Sequence, residues 1–137
     1  MAGERVLVDT NVLVRFFTGD PPEQARRARA LVGRADDGEV TLVIPTVIIA
    51  ETFYTLESFY KMPRREVAEK LALFLQCGGI EAQEFGIVLD ALQRCGTRNV
   101  HLSDALLAAY AADSKMPVAS FDRDFEKFSD VTRVELK

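Results

Sequence analysis

The chain has 137 residues, 48% of them hydrophobic and 28% charged, with a formal net charge of −4. That balance fits one globular domain, residues 1–137, able to bury a core without disulfide or metal staples. It excludes nucleic-acid binding through bulk positive charge, but not through a local basic patch.

The predicted elements alternate between strand and helix. RVLV (5–8) is a short β-branched run that reads as a fully buried parallel strand ending at Asp9. TNVLVRFF then reads as a short helix, stopped by Gly19 and the Pro21–Pro22 pair. PEQARRARALVGRA (22–35) is a helix with Pro22 in its first turn and an apolar stripe of Ala25, Ala28, Leu31 and Val32. Asp37–Gly38 marks a turn, and VTLVI (40–44) is a second strand stopped by Pro45.

Residues 46 to about 60 admit either a helix or a strand, because Val47, Ile48 and Ile49 sit together. Pro45 between two apolar runs favours strand then helix, with Thr46 as the cap. PRREVAEKLALFLQC (63–77) and EFGIVLDALQRC (84–95) are helices, followed by Gly78–Gly79 and Gly96, with IEAQ as a weak strand between them. The Ala-rich SDALLAAYAADSK (103–115) is a further helix, PVASF (117–121) a strand, DRDFEKF a helical turn and TRVEL (132–136) an edge strand. Alternation of this kind implies right-handed crossovers and a three-layer α/β/α sandwich around a central, mostly parallel sheet.

In such a fold, function gathers beyond the carboxyl ends of the strands. Asp9 and Asp122 fall at or just past the ends of two strands; Glu51 falls in the second turn of one helix and Asp104 in the first turn of another. Each has an ordinary alternative role. Asp9 can cap its helix, Asp104 can complement a helix dipole, Asp122 can serve a turn, and Glu51 can sit on a rim or against an arginine. Glu51 is the hardest to explain so, because its helical neighbours are Val47, Ile48, Tyr54 and Thr55. Taken together, the acids converge on one edge of one sheet.

Carboxylates at such range raise one another's pKa unless a cation joins them. An all-oxygen donor set selects Mg²⁺ or Mn²⁺. Such a site suits phosphodiester hydrolysis, since the metal supplies a nucleophile near neutral pH and screens the phosphate. The single histidine, His101, reads as a surface or capping residue; Cys77 and Cys95 lack metal-ligand spacing and read as free thiols in a reducing cytoplasm. Neither a Ser-His-Asp or Cys-His set nor a Gly-rich phosphate loop is present. MAGERVLVDTN lacks a signal-peptide stretch, and no apolar run approaches the length of a membrane span.

The motifs VLVDTNVLV, VIIAETFYTL, LSDALLAAYA and VASFDRDF resemble, in order and spacing, those of PIN-domain ribonucleases, specifically the VapC-type toxins of toxin–antitoxin pairs. The resemblance implies a metal-dependent endoribonuclease with Asp9, Glu51, Asp104 and Asp122 as its acidic quartet. Asp9 and Asp104, followed by Asp122, would be direct Mg²⁺ ligands, and Glu51 would orient water or assist proton transfer. Asn11 and Ser120 would support the site by hydrogen bonds, with Asp124 as an outer-shell residue or a turn cap. It further implies a tRNA or rRNA substrate, a homodimer and a VapB-like antitoxin.

Arg15 is the expected RNA contact; Arg26, Arg27, Arg29, Lys61, Arg64 and Arg65 are weaker candidates. Phe16, Phe17, Phe53, Tyr54, Phe59 and Tyr60 could line a groove for the antitoxin arm or a dimer face, with core packing ranked first for Phe16 and Phe53. Alternatives from other classes are a non-catalytic PIN-like binding module and a PIN nuclease acting in RNA processing outside a toxin–antitoxin pair. A receiver domain or a dehalogenase-type phosphatase fits poorly, because Asp9-Thr10-Asn11 lacks the Asp-x-Asp of the phosphatase and PVASFDRDF lacks the receiver's lysine.

Overall fold

The computed structural model describes residues 3–137. Strand β1 (Arg5–Leu7) leads to helices α1 (Thr10–Thr18) and α2 (Pro22–Asp36). Strand β2 (Thr41–Ile44) leads to α3 (Thr46–Tyr54), a π-helical turn (Thr55–Phe59) and α4 (Arg64–Leu75). Strand β3 (Ile80–Ala82), α5 (Phe85–Arg98), α6 (Leu102–Ser114), β4 (Val118–Ala119), a 3₁₀ turn (Arg123–Lys127) and β5 (Arg133–Val134) complete the order.

All strand pairs are parallel. β1, β2 and β3 form one sheet in that order, and β4 pairs with β5 in a second ladder. α2 packs on β2, while α4 and α5 pack on β3 and on each other, giving the expected α/β/α arrangement. β2 is central, and its Leu42, Val43 and Ile44 are all buried. Ile49, Phe53, Leu56, Leu71, Val88, Leu92 and Phe125 continue the core. Among the described residues, no helix is long and apolar enough to cross a membrane.

Local chemistry accounts for the differences from the sequence reading. β1 is not fully buried: Arg5 is exposed and Leu7 is 70% exposed, because β1 is the edge of its sheet and pairs only with β2. Thr46 does not cap α3; Pro45 holds that position, and the Thr46 hydroxyl donates to Glu84 Oε1 at 3.0 Å. α5 runs through Gly96 to Arg98 and ends at Asn99 in the left-handed region. Gly96 is spent on packing instead: a Cβ there would lie 3.3 Å from Ala68 Cβ on α4. Gly79 is a different case, with φ +79° and a backbone so close that a Cβ would meet Ala35 O at 2.2 Å.

Candidate functional site

Asp9 follows β1 at the point where the chain leaves the sheet. Val8 still donates to Val43 O at 3.1 Å; Asp9 then adopts the extended geometry of an N-cap, and its Oδ1 accepts from Thr10 N–H at 2.7 Å. Beside it, Pro45 turns the chain from β2 into α3. On that helix Ile49, Thr52 and Phe53 face the core, which leaves Glu51 exposed on the opposite side. The charge inside an apolar run is therefore not buried. Thr10 Oγ1 donates to Glu51 Oε1 at 3.3 Å and ties the two helices together. Asp9, Asn11, Arg15 and Glu51 line one open cavity of about 530 Å³, closed on one side by Phe59 and Tyr60.

Three other acids meet nearer the end of the chain. Asp104 is half-buried in the first turn of α6. Past β4, Ser120 Oγ accepts from Asp122 N–H at 2.9 Å, and Asp122 Oδ1 accepts from Asp124 N–H at 2.8 Å, so each residue fixes the next. Carboxylate oxygens of Asp104, Asp122 and Asp124 then lie within 4.8 Å of one another. Burial, then the Asp122 charge and further on that of Asp124, push the Asp104 carboxyl above its ordinary value; His101 and Arg64 oppose them. Lys127 Nζ, 3.3 Å from Asp124 Oδ1, offsets part of the charge.

The acids thus stand as two groups, Asp9 with Glu51 and Asp104 with Asp122 and Asp124. Asp9 is not among the three whose oxygens converge. Asp124, which the sequence left between an outer-shell role and a cap, belongs to the convergent set; the Asp-x-Asp spacing of its turn was the available signal. Ser120 supports Asp122 by a hydrogen bond, and Asn11 lines the Asp9 cavity.

The cationic candidates divide by their partners. Arg64 is held by Glu57 at 2.7 Å, Asn99 at 3.3 Å and His101 Nδ1 at 3.1 Å, so it braces α6's N-terminus rather than awaiting a phosphate. Arg26 pairs with Glu23, and Arg65 with Glu69. Arg15 donates only to the neutral Gln24, at 2.9 Å, and faces the cavity. His101 is exposed at the N-cap of α6 and makes no side-chain cap bond.

An oxygen-only set of three crowded carboxylates fits a hard divalent cation. Residues 6–131 match the family model of the PIN domain. The fold is also similar to the crystal structure of VapBC2 from Rickettsia felis bound to a DNA fragment from their promoter. That match has 16% identity and a TM-score of 0.37, covering 96% of this chain and 97% of the other. No curated protein matches the sequence.

Proposed function

The chain belongs to the PIN domain family, and from that membership we propose that it is a Mg²⁺- or Mn²⁺-dependent endoribonuclease. The observation that carries the proposal is the convergence of Asp104, Asp122 and Asp124 within 4.8 Å in a chain of this family. These three would hold the ion, with Asp9 as the further carboxylate that the sequence motif assigns to it. When bound, the ion supplies Lewis acidity toward the phosphate and a nucleophile near neutral pH.

The chain's own groups handle the proton. Hydrolysis takes a proton from the attacking water, forms a new P–O bond and breaks the bond to the leaving ribose oxygen, which takes up a proton from solvent water. Glu51 suits the first task. Its Oε1 accepts from Thr10 Oγ1 at 3.3 Å and the residue lines the cavity, which suits it to act as a positioned base. Arg15, which has no carboxylate partner among the described residues, supplies the positive charge that a phosphate needs beside so many acids.

In the same proposal the protein is a single-domain toxin of a toxin–antitoxin pair, a cytoplasmic homodimer acting on tRNA or rRNA and silenced by a VapB-like antitoxin. The motif order of the sequence supports this reading. Asp9→Asn tests the enzyme: RNA cleavage in Mn²⁺, and growth arrest on expression, should both be lost, and unchanged cleavage ends the proposal. Calorimetric titration of Mn²⁺ tests the cofactor; lack of saturable binding would favour a non-catalytic module.

A further inference from the structure

The π-helical turn after α3 ends in two adjacent aromatics at the lip of the Asp9–Glu51 cavity. Phe59 is 76% exposed, and its ring meets Tyr60 edge-on, with centroids 5.0 Å apart at 70°. The backbone that holds them is unusual. Thr55–Phe59 is π-helical, and Lys61 follows with φ +58°. The left-handed Lys61 is an ordinary helix end, but π-turns are rare and occur frequently at functional sites. Leaving a phenylalanine ring in water gains nothing for the fold.

The cavity does not end at these rings. Asn11 and Arg15 also line a second groove of about 320 Å³ between α1 and α2, which continues to Arg27. Among the described residues neither Arg15 nor Arg27 has a carboxylate within ion-pair distance, whereas Arg26 and Arg65, elsewhere on the surface, are paired. An aromatic face beside guanidinium groups that stand outside ion pairs suits a polyanion that carries flat rings, with a divalent cation offsetting the acidic floor.

We propose that Phe59 and Tyr60 form a stacking platform for an unpaired nucleobase beside the scissile phosphate, with the strand running on past Arg15 to Arg27. The inference rests on the nuclease reading and deepens it, since a base inside a duplex cannot present its face to such a platform. Phe59 and Tyr60 are positioning residues, and they select single-stranded over paired RNA.

The test uses the full chain and a short single-stranded oligoribonucleotide carrying 2-aminopurine, with Ca²⁺ in place of Mg²⁺. Wild type quenches the probe fluorescence and binds the blunt duplex of the same sequence more weakly. Phe59→Ala weakens single-strand binding by about 5- to 150-fold and relieves the quench, while Phe59→Trp preserves both. Arg27→Gln weakens binding and lowers the salt slope by about 0.7. The exposed ring of Phe59 makes its truncation harmless to folding, and melting temperature checks this. Phe59→Ala binding like wild type overturns the proposal, as does an effect confined to oligomeric state or to capture of a protein partner. If wild type quenches the probe but cleaves no RNA, the platform stands and the nuclease reading falls. Cleavage and probe binding that are both indifferent to Phe59 have the opposite consequence.

Discussion

Replacing Asp104 with Asn should stabilise the metal-free protein and abolish its response to metal. At 4.8 Å two unit charges repel by about 0.9 kcal/mol in a water-like dielectric and about 3.5 kcal/mol at an effective constant of about 20. Asp122 is exposed, so the lower figure applies, or about 2 kcal/mol over two neighbours. Against this, a negative charge in the first turn of α6 contributes about 0.3–1 kcal/mol through the helix dipole. Burial of the charge adds to the repulsion and the attraction of His101 and Arg64 subtracts from it; the net still disfavours the charge, and the variant gains about 1 kcal/mol, or roughly 3–5 °C in melting temperature at this chain length. The pH dependence has a definite sign. Because the folded carboxyl lies above its ordinary 3.8, wild type binds a proton more tightly when folded and gains stability as pH falls through the raised value. The variant's advantage, full at neutral pH, therefore closes in acid. Mg²⁺ reverses the ranking: at a hundredfold excess over Kd it stabilises wild type by about 2.7 kcal/mol, and the variant by much less. Calorimetric melting with and without Mg²⁺ at neutral and acid pH reads all of this. A variant that melts below wild type without metal, or keeps the full Mg²⁺ increment, refutes the reasoning.

Arg94 clamps α5 to the segment between the 3₁₀ turn and β5, donating to both oxygens of Asp130 at 2.8 and 2.6 Å and to Asp90 at 3.1 Å, with its guanidinium 5.2 Å from the Phe128 ring centroid. Arg94→Ala should cost about 1–2 kcal/mol in urea denaturation. Since Arg94 holds the Asp130 carboxyl below its ordinary 3.8, that difference should be full above 3.8 and shrink as pH falls through the lower folded value. Burial pushes the Cys95 thiol up to about 11, while Cys77 is exposed; iodoacetamide at neutral pH should therefore add one group to the native protein and two after unfolding, by mass spectrometry. Gly79→Ala should destabilise by about 3 kcal/mol or more, because it adds a positive-φ penalty to a clash with Ala35 backbone; a chemical-denaturation midpoint within error of wild type would contradict this.

The alternation of strands and helices was legible because turn residues and apolar runs speak locally. Pro45 is the clearest case: it settled a β-branched run as helix against the propensity of Val47, Ile48 and Ile49. What failed depends on neighbours distant in sequence. Nothing in RVLV reveals that β1 lies at a sheet edge, and nothing near Gly96 reveals that Ala68 of α4 presses on it. The site divides in the same way. Residue types and strand ends pointed to the acids, but which oxygens meet is set by the turn after β4. There a chain of bonds from Ser120 through Asp122 brings Asp124 to Asp104.

The same bonds dissolve the opposition between capping and ligation. Asp9 and Asp122 each place one oxygen on a neighbouring backbone N–H, and among the described residues the other oxygen has no hydrogen-bond donor. The cap fixes the side chain in a position that a cation can use, and its stabilisation does not depend on the cation. Asparagine retains the accepting oxygen and loses only the charge. Asp122→Asn should thus keep the stability of wild type, or exceed it slightly, while losing Mn²⁺ affinity and cleavage. Asp122→Ala loses the same functions and also about 0.5–2 kcal/mol of stability. Side-by-side denaturation and Mn²⁺ titration distinguish the cases. If Asn destabilises as much as Ala, the backbone bond contributes nothing separable from the charge; if Asn keeps wild-type Mn²⁺ affinity, the charge of Asp122 is not what the cation meets.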